Sequence, residues 1–208
     1  MTPHPRNIVH ASPHQKRVMY RDGNTTDIIR VILHADKDSA RWVNTEGLAR
    51  LKGTDSRATL QNIYALMQGR INYRADRPGH EIVRSPAYLF GTATGDCKSY
   101  SVAIGAFCRA FGIPYRYRFT SQSNKDYHHV YVVATVGGKD LVMDAVPDNA
   151  GQYLAFGKER GYRRHADVRP GQKVPAGVRG SSGSDFWLDT LTLLGVVVVG
   201  GLILKRIK

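Results

Sequence analysis

The sequence predicts an α+β domain: a helix that begins at a cysteine and packs on an antiparallel sheet, followed by a single C-terminal membrane helix. Three observations predict it. A regular apolar stripe follows Cys97, two β-rich runs flank a Gly-Gly pair, and a long uncharged run closes the 208-residue chain.

The helix comes first. After Cys97 the apolar residues Ile104, Phe107, Cys108 and Phe111 recur at i, i+3, i+4 and i+7, one face of an α-helix. Gly112 and then Pro114 form a stop signal, so the helix runs from about Asp96 to Phe111. Asp96 is placed to cap its start, and Gly95 allows a tight approach of the backbone. A thiol at a helix N-terminus sits among unpaired N–H groups at the positive end of the helix dipole. That setting favours the thiolate, the nucleophilic form. The second cysteine, Cys108, lies 11 residues on, about 16 Å along the axis. No disulfide can span that distance within one helix. Cys108 is read as core, and the cysteines show no metal-ligand spacing, so neither metal nor cofactor is expected.

The hairpin comes next. His129 to Val136 is rich in β-branched and aromatic residues, and Lys139 to Asp144 follows after Gly137-Gly138. A Gly-Gly pair between such runs predicts a two-residue hairpin, with Val136 opposite Lys139. In that register His129, Tyr131, Asp144 and Val146 share one face, and His128 points to the other. His129 and Asp144 become diagonal neighbours, about 7–8 Å apart at Cα, within reach for a carboxylate and an imidazole. A bulged three-residue turn would reverse the parity and favour His128. The candidate catalytic set is therefore Cys97, His129 and Asp144, with the Cys97 backbone N–H as one oxyanion donor.

Gly95-Asp96-Cys97 at a helix start, His129 followed by alternating strand residues, and Met143-Asp144 one hairpin later resemble the core of the transglutaminase-like superfamily of papain-type folds. Arg109 to Arg116 is similar to that family's lead into its first core strand. Ile63 to Tyr73 is similar to its preceding helix, which often ends in Ile-x-Tyr. Arg84, Ser85, Pro86 and Leu89 fit the connection to the cysteine. The resemblance covers about residues 56–150. It implies a Cys-His-Asp amide chemistry: a hydrolase acting on a peptide, isopeptide or cell-wall crosslink, or a protein-crosslinking acyltransferase. The family often has Pro directly after its Asp, whereas here Asp144 is followed by Ala145, Val146 and Pro147. Gly91 stands six before Cys97, where papain-like proteases place a Gln, so that oxyanion donor is missing. Gln61, Asn72 and Tyr88 are chemically capable replacements.

The rest of the chain frames this core. Residues 1–55 are an extension that precedes or packs on it, with a short strand at Asp27–Leu33 and a helical segment around Ala40–Leu51. The N-terminus has no apolar stretch of signal-peptide type. The net charge is +13. From Tyr153 to Lys208 there are ten Lys/Arg against four Asp/Glu, so the tail is the more basic part. Lys158, Arg160, Arg163, Arg164 and Arg169 could attract an acidic partner or anionic lipid. No nucleic-acid-binding motif stands out, so that partner is not expected. Residues 151–185, with Pro170, Gly171, Pro175, Gly177, Gly180 and Gly183, read as a linker.

Residues 186–207 read as a transmembrane anchor. Thr190 to Leu204 is 15 residues without charge, about 22 Å of helix. Trp187 at one interface and snorkelling Lys205 and Arg206 at the other bring it close to a span. The basic end favours the cytoplasmic side, which would put the domain outside; the topology stays open. A non-catalytic assembly protein at a membrane or in a phage particle is the rival from another class.

Overall fold

The computed structural model describes residues 17–21, 24–37, 39–77, 80–123 and 127–174. The N-terminal 16 residues and the expected membrane anchor lie outside them. The central element is helix α5, Cys97–Ala110, in which every residue from Cys97 to Cys108 is buried. Small residues at Ala103, Gly105 and Ala106 let neighbours approach it closely. A Cβ at Gly105 would stand 2.4 Å from the Tyr117 hydroxyl, so only glycine fits there. The helix ends as expected: Gly112 has φ +67°, and Ile113 N–H donates to Cys108 C=O at 2.8 Å.

Against α5 lies a four-stranded antiparallel sheet in the order β7-β6-β5-β8: β5 is Tyr115–Ser121, β6 His129–Val136, β7 Lys139–Met143 and β8 Arg164–Val168. Gly137 and Gly138 both have positive φ, +56° and +73°, the type I′ geometry of a two-residue hairpin. Val136 pairs with Lys139, as predicted. On β5, Tyr117 and Phe119 face the core. Arg116 and Arg118 face outward onto Asp167, with Asp140 and Glu159 completing the row.

The other side of α5 is covered by helices α1 (Thr25–Lys37), α3 (Ser56–Arg70) and α4 (Pro86–Thr92) and by the short turn Ser39–Trp42, while α2 (Thr45–Leu51) packs on α3. Two small ladders complete the domain. β1 (Arg17–Arg21) pairs antiparallel with β3 (His80–Arg84), and β2 (Asn72–Tyr73) pairs parallel with β4 (Thr94–Gly95).

Two expectations are corrected. The strand expected at Asp27–Leu33 is the middle of α1. Asn24 and Asp27 cap it reciprocally, Asp27 N–H to Asn24 Oδ1 at 3.1 Å and Asn24 N–H to Asp27 Oδ2 at 3.3 Å. The run of Ile28, Ile29, Val31, Ile32 and Leu33 is buried on a helix with Arg30 turned out to solvent, and a short apolar stretch of this kind fits a helix as well as a strand. Asp36 then ties α1 to the core by accepting from Tyr117 Oη at 2.7 Å, Tyr115 Oη and Arg109.

The second correction concerns the linker. Its described part, to residue 174, is not free. β8 forms a sheet edge, and residues 153–162 cross the face of β6 and β7. Arg163 N–H donates to Ser121 C=O at 3.0 Å and Gly157 N–H to Val142 C=O at 3.2 Å. The glycines and prolines signal irregular backbone, but irregular backbone can still be packed. Of the basic residues assigned to an external acidic partner, Arg160 turns inward. Among the described residues no helix is long and apolar enough to cross a membrane.

Candidate active site

Cys97 is the first residue of α5 and only 5% exposed. Asp96 caps the helix, accepting from Ser99 N–H at 3.2 Å and Ser99 Oγ at 3.1 Å. A Cβ at Gly95 would stand 2.4 Å from a Leu89 methyl and 3.1 Å from Ser99 Cβ, so the approach to the helix demands glycine. Behind this turn lies a cluster of buried charge. Lys98 is 1% exposed and pairs with Asp96, with Glu81 at 2.8 Å and with Asp76 at 3.4 Å. Arg84 holds Asp76 at 2.9 Å. Burial opposes the Lys98 ammonium, but Asp96 and Glu81 override it and hold its pKa well above the usual value. Asp76 goes the other way. Burial and the Asp96 carboxylate outweigh its two cations and push it up to about 6.

The hairpin brings His129 and Asp144 together as the parity requires. His129 Nε2 lies 3.1 Å from each Asp144 oxygen. Cys97 at the start of α5 acts on the same imidazole and, like Asp144, favours its charged form. Burial works against the imidazolium. The Asp144 carboxylate prevails, joined by Tyr162 and Cys97, and His129 is held charged well above its ordinary range. Burial likewise opposes the Asp144 carboxylate, yet His129 and Arg160 keep its pKa below normal. His128 is buried on the opposite side, where its Nε2 accepts from Gln122 N–H at 3.3 Å. Cys108 is buried in the core, and burial, with Asp36 beside it, pushes its thiol up to about 12.

Three residues at the site escaped the sequence reading. Tyr73 pairs with Gly95 across the β2–β4 ladder, and Arg74 N–H donates to Gly95 C=O at 2.9 Å, which sets the Tyr73 ring beside Cys97. Burial, with Cys97 and Asp96 nearby, keeps its hydroxyl protonated and therefore a donor. The Ile-x-Tyr ending of the preceding segment was its signal. Arg160 donates to Asp144 Oδ2 at 2.7 Å and to Val146 C=O at 3.0 Å. Tyr162 lies over His129, with ring centroids 6.0 Å apart at 31°. Nothing in sequence spacing pointed to either of these two. Of the suggested oxyanion donors, Gln61 and Asn72 are exposed, and Tyr88 lines a separate cleft of about 300 Å³ with Arg74, Arg77 and Arg84.

Comparison with known proteins gives a family and distant structural likenesses. The chain spans half or less of the length of three solved structures it resembles. A candidate cysteine protease from Cytophaga hutchinsonii is 20% identical, over 77% of this chain and 50% of that one, with a TM-score of 0.37. A candidate protease from Parabacteroides distasonis is 15% identical, over 60% and 27%, at 0.44. Menin, whose structure reveals the binding site for the Mixed Lineage Leukemia (MLL) protein, is 17% identical, over 64% and 33%, at 0.36. No curated protein matches significantly. The family model of the transglutaminase-like superfamily matches residues 45–145 of this chain, from the start of α2 to the residue after Asp144.

Proposed function

We propose that the protein is a cysteine-dependent amide hydrolase using Cys97, His129 and Asp144. The observation that supports this is a buried carboxylate holding His129, with Nε2 3.1 Å from each Asp144 oxygen, together with Cys97 at the start of α5 acting on the same imidazole. Cys97 Sγ attacks the amide carbon, forming a C–S bond as the thiol proton rests on His129. The oxyanion accepts from the Cys97 backbone N–H and, in this reading, from the Tyr73 hydroxyl, which supplies the second donor. His129 then protonates the leaving nitrogen as the C–N bond breaks. Water, giving its proton to His129, attacks the thioester and releases a carboxylate, and Cys97 recovers a proton from His129. Asp144 orients the imidazole and balances its charge throughout. Peptide, isopeptide and cell-wall crosslink amides all fit this chemistry. An amine reaching the thioester in place of water would make the same site an acyltransferase.

Iodoacetamide labelling of the folded protein, mapped by mass spectrometry, tests the site. Cys97 should be alkylated at pH 6 and Cys108 spared. Equal labelling of both, or labelling of Cys97 only above about pH 8.5, the range of an ordinary thiol, would leave no activated nucleophile and favour a binding role.

Residues 186–207 are proposed as the membrane anchor on their uncharged run alone. The full chain should then stay with membranes in high salt and release into detergent, because salt screens a basic patch but not a hydrophobic span. Release by salt alone would make the attachment electrostatic.

A further inference from the structure

We infer that Arg160 is a positioning residue for the Asp144–His129 pair, carried on a strap, residues 153–162, that lies beyond the matched core; this rests on the triad reading above. A carboxylate turns about a broad torsion and is aimed only if its oxygens are held. Arg160 makes a fork here. One terminal nitrogen sits on Asp144 Oδ2 at 2.7 Å, the other on the main-chain carbonyl of Val146 at 3.0 Å. The guanidinium thus references the carboxylate to its own backbone. From the other side Val146 N–H approaches Oδ1 at 3.4 Å, and Tyr64 Oη lies 3.0 Å from the Asp144 carbonyl.

The strap itself is fixed on both sides of Arg160. Before it, Phe156 packs edge-on to Tyr64 at 5.6 Å, and the Leu154 carbonyl lies 2.8 Å from the same tyrosine hydroxyl. Next to it, the Glu159 carboxylate accepts from Tyr131 Oη and from Arg118 at 3.1 Å. After it, Tyr162 stacks on Tyr131 with centroids 6.1 Å apart.

There is an electrostatic reason for a second cation. Asp144 is 1% exposed, and a buried carboxylate without a partner is costly. In the proposed cycle His129 gives up its proton to the leaving amine. At that moment Asp144 loses its cationic neighbour, and Arg160, always charged, remains. The carboxylate therefore stays ionised and in place while the imidazole changes charge.

The test uses the full chain and the rate of Cys97 alkylation by iodoacetamide from pH 5 to pH 10. Wild type should react at pH 6. Arg160→Gln should lose at least ten-fold at pH 6 yet converge on wild type at pH 10, where a thiol ionises unaided. Arg160→Lys should recover part of the loss, since an ammonium neutralises Asp144 but lacks the fork that spans Val146. Lys158→Gln and Arg163→Gln, each removing one exposed positive charge nearby, should match wild type. A wild-type profile in Arg160→Gln, or the same loss in either control, overturns the inference. If Arg160→Gln does not fold by circular dichroism, Arg160→Lys decides: a wild-type profile overturns the role, and a several-fold loss confined to low pH supports it. A wild type unreactive below pH 8 would instead sink the triad reading and this inference with it. Reactive wild type with unaffected Arg160 variants sinks this inference alone.

Discussion

His129→Ala will abolish the neutral-pH reactivity of Cys97 and lower amide hydrolysis by about 10³-fold or more, the scale of losing a catalytic base. His128→Ala will keep most of both. The two histidines are adjacent, but alternation along β6 sends one to Asp144 and the other to Gln122 N–H. Alkylation rates and turnover of the two variants, compared at pH 7, decide between them. Greater loss in His128→Ala would mean that the base has been misassigned.

The same pair sets a pH window for stability. His129 is raised in the native state above its usual 6.5. Its contribution is therefore complete below about pH 6.5 and is lost as the pH rises through the native value. Asp144 is lowered from its usual 3.8, so its contribution is present above that pH and lost as the pH falls through the native value. The difference in unfolding free energy between wild type and His129→Gln should be largest between about pH 4 and 6.5 and shrink toward alkaline pH. A difference that grows with pH would contradict the paired imidazolium.

Lys98→Met will destabilise the fold by about 3–5 kcal/mol, the cost of removing one partner from a buried ion pair. Methionine replaces most of the volume but removes the ammonium that Asp76, Glu81 and Asp96 share, while Arg84 still holds Asp76. Against a typical total of roughly 5–15 kcal/mol this threatens folding itself. The deficit should lessen as the pH falls, because without Lys98 the carboxyl groups bind protons more tightly in the native state than in the unfolded one. Asp76, already pushed up to about 6, shows the direction in the wild type: its cost to the native state is absent below about pH 4, grows as the pH rises from about 4 to 6 and is complete above that. Urea unfolding at pH 7 and pH 5 measures both effects. A loss under about 1 kcal/mol at pH 7 would mean that the cluster is solvated.

The reading of this site from sequence rested on periodicities that are local. A stripe at i, i+3, i+4 and i+7 and a Gly-Pro stop bounded α5 to within a residue of its observed ends. A two-residue turn fixed the parity of His129 and Asp144 because side chains alternate along strands regardless of what packs above them. Where periodicity was ambiguous, the reading failed. Ile28 to Leu33 is apolar almost throughout, so only the Asn24–Asp27 cap distinguished helix from strand.

The order of Cys97, His129 and Asp144 along the chain and the hairpin that unites two of them were thus determined by short-range chemistry. Tyr73, Arg160 and Tyr162 were decided only by tertiary structure. The Ile-x-Tyr ending marked Tyr73 in the sequence, but its place beside Cys97 comes from a two-residue parallel ladder with Gly95. Arg160 and Tyr162 reach the pair from a stretch whose glycines and charges resemble those of a free linker. A guanidinium carries the same sequence signature on a solvated tail and on a buried carboxylate. Which of the two it occupies depends on where the folded chain leaves a buried charge in need of a partner, and in this fold that charge is Asp144.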